Sequence, residues 1–336
     1  MNKTFIIGEA GANHDRNKEQ AINLIDIAVN SGVDAVKFQT YSSETLYSKF
    51  TPNFAGYKNI PKLIKDIELP REWQKDLKLY CDDNGIEFMS TPFDEKAVDE
   101  LYDLGVKRFK IAGFECTDPR FVKYVASTKL PLIISLGIGT DLHMMDEIKG
   151  WIFEVNDSLD ITFLHCNNAY PTPYQDINLG QMKNMIDYVS RDNVKIGLSD
   201  HTEGILTPSI AVSLGAEVVE KHYTLNRSLS GPDHPFAIEP NELIDMVKNI
   251  RLVETMMGIK SSEYTNSEQG FSMARRSVIV KGDVKEGEMI TENNITTKRP
   301  LLNDSIPAMQ YYDVIGKSFK KNLVDDSILK WDDINE

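Results

Sequence analysis

The sequence predicts an α/β fold: a (β/α)8 barrel of the TIM type, followed by a small β-rich unit. Short apolar runs rich in Ile, Val and Phe alternate with longer stretches of apolar residues at helical spacing, and this alternation yields eight strand candidates. A polar break near residue 261, followed by short β-rich pieces, predicts the second unit. A doubly wound open sheet shows the same alternation, so that fold stays an alternative at this level.

The strands and helices are predicted from period and composition. The strands are Phe5–Glu9, Ala35–Thr40, Glu87–Thr91, Arg108–Gly113, Leu132–Leu136, Ile161–Cys166, Val194–Ser199 and Val218–His222. Helices between them include Lys18–Ser31, Trp73–Asn84, Glu95–Leu104, Asp141–Val155 and Asn241–Met257. Several of these end at a glycine, such as Gly32 or Gly105, as helix C-termini often do.

The polar segment SSEYTNSEQG, which begins at residue 261, has no apolar period and predicts a linker. The predicted boundaries are 1–260 for the barrel, 261–273 for the linker and 274–336 for the β-rich domain. The last domain contains the pieces SVIVKGDV, ITTKRP and VIGKSF. Because so small a unit is marginally stable alone, we expect it to pack against another surface.

Composition excludes several classes of function. Hydrophobic residues make up 41% and charged residues 26% of the 336 residues, which is typical of a globular protein. The formal net charge is -14, with 37 Lys and Arg against 51 Asp and Glu, so we expect no nucleic acid partner and no anionic membrane partner. A small anionic substrate would need a few basic residues gathered in one pocket.

The three cysteines, Cys81, Cys116 and Cys166, form no C-x-x-C pair and suggest no disulfide framework. This pattern favours a reducing cytoplasm. Residues 1–8 lack the pattern of a signal peptide, and no apolar run reaches the roughly 18 residues of a membrane helix. We therefore expect a cytoplasmic protein.

Polar residues lie at the carboxyl ends of all the predicted strands, where a closed barrel carries its active site. They are Glu9, Lys37, Gln39, Ser90, Thr91, Lys110, Ser135, His165, Ser199, His201, Glu220 and His222. Residues two apart on a strand share a face, so Lys37 and Gln39 should point together into one interior. The sequence therefore predicts a polar site at the mouth of the barrel.

Two lysines stand out among these residues. A single lysine is usually a solvated surface charge, but Lys37 in AVKFQT and Lys110 in RFKIAG have apolar neighbours, which favours burial. Two buried lysines with hydroxyl groups beside them would suit a phosphate and a carboxylate. The hydroxyl groups are those of Thr91, Ser135 and Ser199.

His201 and His222 end consecutive strands and would lie side by side in a barrel. A single histidine is usually structural, but two neighbours with Glu220 nearby suggest a divalent metal site with open positions for water and substrate. Imidazole ligands favour Mn, Zn, Co or Fe over Mg. His14 is expected to form an additional polar wall of the site, and His143 to lie on the surface.

An ordered series of motifs resembles the bacterial sialic acid synthase family over almost the whole chain. The motifs are EAGANH (9–14), KFQT (37–40), STPF (90–93), KIAGFE (110–115), YPTP (170–173), LSDHT (198–202), EKHYTL (220–225) and GPDHPF (231–236). ARRSVIV (274–280) and KRP (298–300) resemble the family's antifreeze-like, or SAF, domain. The resemblance implies a TIM barrel joined to a SAF domain, in a homodimer where each SAF domain caps the partner's active site.

The resemblance also implies a reaction and its residues. Phosphoenolpyruvate would condense with the open-chain form of an N-acylated aminosugar, such as N-acetylmannosamine, to give a nine-carbon 2-keto acid and phosphate by C–O cleavage. His201 and His222 would bind the metal, most often Mn, with Mg or Co as alternatives. Phosphoenolpyruvate would contact Lys37, Thr91, Lys110, Ser135 and Ser199. The sugar would contact Gln39, Glu115, Asn168, Tyr170 and Asp233, together with Arg299 of the other subunit.

Chemistry alone suggests roles for some of these residues. A metal at the two histidines would polarise the aldehyde, and the lysines would stabilise negative charge. Attack by the enol carbon leaves a cationic C2. Glu9 or Glu220 could stabilise that cation or take a proton from the attacking water, and the sequence does not assign these roles.

Two departures from the family pattern concern the sugar. Gly113 stands where many members have a serine, and LLNDSI (301–306) replaces a glycine-rich turn. The product could therefore be legionaminic or pseudaminic acid, formed from a 2,4-diacetamido-trideoxyhexose. Two other classes stay open: an aldolase acting through a lysine Schiff base, and a carbohydrate-binding barrel without catalysis.

Overall fold

A computed structural model describes residues 3–53, 58–189, 193–258 and 264–335. The chain divides into two units, Met1–Gly258 and Ile259–Glu336. The strands of the first unit are β1 (Phe5–Gly11), β2 (Ala35–Thr40), β3 (Glu87–Pro92), β4 (Phe109–Ile111), β5 (Leu132–Leu136), β6 (Ile161–Cys166), β7 (Val194–Asp200) and β8 (Val218–His222).

These eight strands form a nearly closed parallel barrel. Hydrogen-bonded neighbours follow the order β3-β2-β1-β8-β7-β6-β5-β4, and β3 lies beside β4. Every strand therefore neighbours the strands that precede and follow it in the chain, which excludes the reversed order of a doubly wound sheet. The predicted barrel is confirmed.

Helices surround the barrel. They are α1 (Lys18–Ser31), α2 (Ser43–Leu46), α3 (Ile60–Ile67), α4 (Gln74–Asp83), α5 (Glu95–Leu104), α6 (Pro119–Ser127), α7 (Leu142–Phe153), α8 (Leu179–Tyr188), α9 (Leu206–Leu214) and α10 (Pro240–Met256). The Asn17 side chain accepts a hydrogen bond from Gln20 N at the start of α1, and Gly32, with φ of 75°, ends that helix. No helix in the described part of the chain is both long and apolar enough to cross a membrane.

The interior of the barrel consists of an apolar layer below a polar layer. The apolar layer contains Ile7, Ala35, Met89, Ile133, Leu164 and Val218. Two positions further along the same strands lie the buried residues Glu9, Lys37, Thr91, Ser135, Cys166 and Glu220. Because alternate residues share a face, the apolar layer supports the polar one from beneath. The layers thus place the polar groups at the carboxyl ends of the strands.

The second unit has its own small apolar core, which includes Val278, Ile290, Ile295 and Phe319. Its strands are β9 (Ser277–Val280), β10 (Ile295–Lys298), β11 (Ser318–Phe319) and β12 (Ile334–Asn335), which pair antiparallel as β9–β10 and β11–β12. Residues 261–263 of the predicted linker lie outside the described residues. Its remainder leads into a 3-10 helix over Gln269–Ala274.

Candidate active site

Side chains from all eight barrel strands meet in a pocket at the mouth of the barrel, which we call the polar floor. It is lined by Glu9, Lys37, Gln39, Thr91, Lys110, Ser135, Cys166, Asn168, Tyr170, Ser199, His201, Glu220 and His222, with Phe93, Ala112, Gly113 and Phe114. Twelve of the predicted site residues therefore lie together. Whether they have the predicted roles depends on their chemistry.

Lys37 lies at the centre of a buried charge network on the polar floor. Its Nζ is 2.6 Å from Glu9 Oε2 and 3.6 Å from Glu220 Oε1, and it donates a hydrogen bond of 3.0 Å to Thr91 Oγ1. Gln39 Nε2 donates to the other oxygen of Glu9 at 2.8 Å. The ammonium group is therefore held between two buried carboxylates.

Lys110 extends this network across the barrel. Its Nζ donates hydrogen bonds to Ser135 Oγ at 2.8 Å and to the Ile111 carbonyl at 3.1 Å, and lies 3.7 Å from Glu220 Oε1. Ser199 Oγ donates to the same oxygen of Glu220 at 3.3 Å. Glu220 Oε2 is buried without a hydrogen-bond partner among the described residues. A buried acceptor without a partner indicates a place for water or a ligand.

Attraction between these groups counteracts the cost of their burial. Burial opposes a charge on Lys37, but Glu220 and Glu9 together outweigh it and raise the pKa of Lys37. Burial also opposes a charge on Glu220, and Lys110 and Lys37 outweigh it, so the pKa of Glu220 is lowered. For Lys110 burial prevails and lowers the pKa, while burial raises the pKa of Glu9 to about 7. The two lysines are therefore the positive groups that stabilise the Glu220 carboxylate.

His201 and His222 lie side by side on the polar floor, with ring centroids 5.5 Å apart. His201 Nδ1 bonds to the Asn167 carbonyl at 2.6 Å, which makes Nδ1 the donor and leaves Nε2 with a free lone pair. His222 Nδ1 is buried without a hydrogen-bond partner among the described residues, and Asp233 Oδ2 is 3.9 Å away. Both rings therefore have a nitrogen available as a ligand.

Burial lowers the pKa of His201 to about 4 and that of His222 well below its usual value. Neutral imidazoles are the form that binds metal, so the two histidines fit a divalent cation. No group of three or more His, Cys, Asp or Glu side chains in the described ranges is arranged to hold a metal. A metal here would thus have two imidazole ligands, with its other positions left to water or substrate.

Aromatic rings form one wall beside the histidines. The Tyr170 ring lies 4.3 Å from the His201 ring and 5.4 Å from that of Phe236, and the rings of Phe236 and His222 are 5.2 Å apart. Asn168 Nδ2 donates to the Tyr170 hydroxyl at 3.3 Å. Packing against this wall fixes both imidazole rings at the edge of the polar floor.

A larger cavity of about 670 Å³, which we call the apolar chamber, adjoins the polar floor. The two share Gln39, Phe93, Ala112, Phe114, Cys166, Asn168, Tyr170 and His222. Loop and helix residues beyond the strands supply the rest of its wall, including Leu46, Tyr47, Ile60, Leu63, Ile64, Ile67 and Ile138. This volume is typical of a small-molecule site, and its wall favours a ligand with apolar substituents.

Three residues predicted to contact the sugar lie apart from the polar floor. Asp233 lines the apolar chamber and accepts a hydrogen bond from Ala12 N at 3.4 Å. Glu115 lines neither cavity. Its Oε2 is buried without a hydrogen-bond partner in the part of the chain that the structure describes, and burial raises the pKa of Glu115 to about 7. Arg299 is exposed in the second unit, directly after β10, and its role toward a partner subunit stays a prediction.

His165 lies at the end of β6 as predicted, but its side chain does not point into the polar floor. Its Nε2 bonds to the Ile177 carbonyl at 2.6 Å, and the side chain that β6 contributes to the polar floor is that of its neighbour Cys166. Cys166 was not among the predicted site residues, although strand parity indicates it, because it follows the buried Leu164 by two positions. Ser90 also points away from the floor and hydrogen bonds to Thr40 Oγ1 at 2.7 Å.

The other histidines lie outside both cavities. His143 is exposed and faces Glu147 Oε1 at 3.5 Å, which confirms the prediction of a surface residue. The prediction that His14 is a wall of the site is wrong: it is buried and accepts a hydrogen bond from Arg16 N. His234 is buried between Thr224 Oγ1 and Asp15 Oδ2 at 2.6 and 2.9 Å.

The Asn168 side chain fits into space left by two glycines, which gives Gly113 a structural explanation. A Cβ at Gly137 would lie 1.6 Å from Asn168 Oδ1, and one at Gly113 would lie 3.0 Å from the same atom. The absence of a serine side chain at 113 thus leaves room for the amide of Asn168.

We expect Gly137→Ala to displace the Asn168 amide and to lower turnover about 10- to 100-fold, as for a misplaced substrate contact. The fold should survive, because the clash is with a movable side chain. Steady-state kinetics of Gly137→Ala, Asn168→Ala and the double variant measure this. The double variant should be little worse than Asn168→Ala; independent, additive losses would contradict the explanation.

This chain is similar to known proteins over most of its length. The NeuB family model matches residues 24–262, and the SAF domain model matches residues 275–335. The N,N'-diacetyllegionaminic acid synthase of Campylobacter jejuni is 37% identical over 98% of this chain and 100% of that protein. The enzyme of the same name from Legionella pneumophila is 38% identical over 98% of this chain and 94% of that protein.

A crystal structure of N-acetylneuraminic acid (sialic acid) synthetase from Leptospira borgpetersenii is similar in fold and sequence. Its TM-score is 0.72 at 31% identity, and the match covers 80% of this chain and 90% of that chain. These matches confirm the predicted family, the barrel followed by a SAF domain, and an enzyme of the synthase type. The chain belongs to the NeuB family and carries a SAF domain at residues 275–335.

Proposed function

We propose that this enzyme condenses phosphoenolpyruvate with the open-chain aldehyde of a 2,4-diacetamido-2,4,6-trideoxyhexose. The products would be a nine-carbon 2-keto acid of the legionaminic type and phosphate. This proposal is based on one observation: the charged polar floor adjoins the apolar chamber, and the two share lining residues. N-acetylmannosamine, which would give N-acetylneuraminate, is the second candidate acceptor.

The polar floor suits phosphoenolpyruvate because its positive groups can contact two anionic ends. Lys37 and Lys110 would pair with the phosphate and the carboxylate, and the hydroxyl groups of Thr91, Ser135 and Ser199 would donate hydrogen bonds. An arriving anion would compete with Glu220 for both lysines. Within the described ranges the contacts of Glu220 are made by Oε1, and Oε2 has no hydrogen-bond partner.

The apolar chamber suits the acceptor sugar. Relative to N-acetylmannosamine, a diacetamido-trideoxyhexose has a methyl group in place of a hydroxymethyl group, and a second acetyl group. The chamber wall of Leu63, Ile64 and Ile67 would cover such groups at a gain of about 0.8 kcal/mol per buried CH₂. The two legionaminic acid synthases at 37% and 38% identity support the same choice.

The proposed reaction forms one carbon–carbon bond and breaks the C–O bond of phosphoenolpyruvate. The C3 of phosphoenolpyruvate attacks the aldehyde carbon, whose oxygen takes up a proton and becomes a hydroxyl group, and C2 is left cationic. Water adds to C2 and loses a proton. The bond between C2 and the bridging phosphate oxygen then breaks as the new C2 hydroxyl group loses its proton, which gives the 2-keto group and free phosphate. Glu9 and Glu220 are the carboxylates on the polar floor that can stabilise the cation or accept that proton. Lys37 and Lys110 would stabilise the charge of the departing phosphate.

A divalent cation, Mn in our proposal with Mg or Co as alternatives, would be held by His201 and His222. When bound, it would supply a Lewis acid for the aldehyde oxygen. Asn167 orients His201 through its carbonyl, and Tyr170 and Phe236 pack against the imidazoles. We also propose a homodimer in which Arg299 reaches the acceptor in the partner subunit, and a cytoplasmic location.

Phosphate release tests this function. Protein treated with EDTA should be inactive and should recover when Mn is added. The kcat/KM should be higher by a factor of about 10 or more with a diacetamido-trideoxyhexose than with N-acetylmannosamine. This is the selectivity that a few apolar groups provide. Phosphoenolpyruvate labelled with ¹⁸O at the bridging position should deliver its label to phosphate.

Other outcomes would change the proposal in defined ways. Preference for N-acetylmannosamine would keep the reaction and reassign the product. A borohydride-trapped adduct with no metal requirement would indicate an aldolase with a lysine Schiff base. Binding of a sugar without phosphate release would indicate a carbohydrate-binding barrel.

A further inference from the structure

A buried ion pair lies directly behind the two histidines, on the outer face of the barrel wall. Asp200 ends β7 and is the register partner of Lys221 in β8. Lys221 Nζ is 2.7 Å from Asp200 Oδ2, and the side chains are 1% and 0% exposed. Strand alternation explains the location, because Ser199 and His201 on one strand, and Glu220 and His222 on the other, point inward.

Thr202 closes this pair into a ring of hydrogen bonds. Asp200 Oδ1 accepts bonds from Thr202 N at 3.0 Å and from Thr202 Oγ1 at 2.8 Å. Lys221 Nζ donates to the Thr202 carbonyl, and Thr202 Oγ1 also contacts Thr207 Oγ1 at 2.9 Å. The residues before and after His201 are therefore tied to each other and to the residue before His222.

Stability alone does not account for this ring. Replacing a buried ion pair by well-packed apolar residues of similar volume is often neutral or stabilising, because desolvation of two charges offsets their attraction. Other outward residues of the barrel strands, such as Ile134, Phe163 and Val219, are apolar and buried. An apolar pair at 200 and 221 would match these neighbours, but it would leave the N–H, hydroxyl and carbonyl groups of Thr202 without these hydrogen bonds.

The two imidazoles differ in how they are oriented. His201 has a hydrogen bond to the Asn167 carbonyl, whereas His222 Nδ1 has no hydrogen-bond partner among the described residues. The position of His222 therefore depends on ring packing and on the backbone of β8, which Lys221 anchors to β7. Loss of the contacts that Lys221 makes with β7 would alter the distance between the imidazoles of His201 and His222.

We propose that Asp200, Lys221 and Thr202 are positioning residues that hold His201 and His222 at the separation a divalent cation requires. The proposal rests on the metal site of the proposed function. Removing this ring of hydrogen bonds should therefore weaken metal binding, because mutating groups that orient metal ligands typically changes metal affinity about 10- to 100-fold. None of the three is a ligand itself.

The test measures Mn²⁺ binding without substrate, by the electron paramagnetic resonance signal of free Mn²⁺. Wild-type protein treated with EDTA is compared with His222→Ala and with the double variant Asp200→Leu/Lys221→Met, which replaces both charges at once. We expect the double variant to remain folded by circular dichroism and to bind Mn²⁺ about 10- to 100-fold more weakly than wild type.

The matched control is a second ion pair at the opposite end of the barrel. Arg108 Nε and Nη2 donate to the two carboxylate oxygens of Glu87 at 2.7 and 3.2 Å. Glu87→Leu/Arg108→Met removes two charges and one strand-to-strand link but leaves the histidines untouched. Its Mn²⁺ affinity should equal that of wild type.

Thr202→Val keeps the proposal testable if the double variant does not fold. It removes the hydroxyl from the ring and keeps the ion pair, and should weaken Mn²⁺ binding several-fold. Wild-type affinity in Thr202→Val and in a folded double variant would overturn the positioning role while leaving the metal site intact. Absence of Mn²⁺ binding by wild type, or undiminished binding by His222→Ala, would overturn the metal site itself.

Discussion

Replacing Lys37 by methionine should lower phosphate release from phosphoenolpyruvate about 10²- to 10³-fold, the effect of removing one positioned donor from a desolvated site. The same change should cost about 3–5 kcal/mol of unfolding free energy, since it leaves buried carboxylates without their partner. Lys37 Nζ lies 2.6 Å from Glu9 Oε2 and 3.6 Å from Glu220 Oε1, and all three side chains are at most 6% exposed. Urea unfolding and steady-state kinetics measure the two effects.

Two further variants separate stability from catalysis. Glu9→Gln/Lys37→Met removes the unpaired charge and should recover much of the stability but none of the activity. Lys195→Met is the control on the same barrel: its Nζ is 3.5 Å from Glu217 Oε2, but the side chain is 48% exposed. An exposed pair contributes at most about 1 kcal/mol. Normal turnover by Lys37→Met would remove this lysine from the mechanism.

Gly197→Ala should cost about 3 kcal/mol or more of unfolding free energy, or prevent folding. An added Cβ would lie 2.3 Å from the Val218 carbonyl oxygen and 2.7 Å from Leu164 Cδ2. The oxygen belongs to the backbone of β8, the neighbouring strand, so the clash is relieved only by separating β7 from β8. Leu164 fills the space that the glycine leaves in the apolar layer.

Gly150→Ala provides the comparison for this prediction. Gly150 lies within α7, and a Cβ there would meet no atom within 4 Å. The change should raise stability by about 0.5–1 kcal/mol, because alanine loses less backbone entropy in a helix. Thermal unfolding of both variants tests the pair; equal stability of Gly197→Ala and wild type would contradict the close approach of β7 and β8.

Strands were the part of the fold that the sequence predicted best. Barrel strands are buried on both faces, so they stand out as runs of Ile, Val, Leu and Phe. The predicted bounds of Ala35–Thr40, Leu132–Leu136 and Val218–His222 are those observed. The strand predicted over Arg108–Gly113 is shorter, Phe109–Ile111, because the Ala112 carbonyl accepts bonds from Glu115 N and Cys116 N in a turn.

Helices were harder to predict from the sequence where apolar residues do not recur at helical spacing. The helix Leu206–Leu214 has the sequence LTPSIAVSL, in which apolar and small residues occur on all sides. Such a segment does not show the polar face that identifies an amphipathic helix. The helix Ile60–Ile67, which lines the apolar chamber, follows residues 54–57 outside the described ranges, and the sequence analysis did not predict it.

For the site, the alternation of side chains along a strand predicted the residues of the polar floor better than position at a strand end did. Parity placed Lys37 and Gln39 together, and both lie on the polar floor. The strand-end rule alone gave His165, whose side chain points outward, where parity would have given Cys166. The space shared by Asn168, Gly113 and Gly137 depends on three separate loops, so no local pattern predicts it.

The adjacency of the polar floor and the apolar chamber has a kinetic consequence for the proposed reaction. The floor is built from strand residues and the chamber from loops and helices beyond them. A sugar that fills the chamber would close the route to the floor, so the anionic substrate would have to enter first. Phosphate would form on the floor beneath the sugar acid, so it would be released only after the sugar acid has left the chamber.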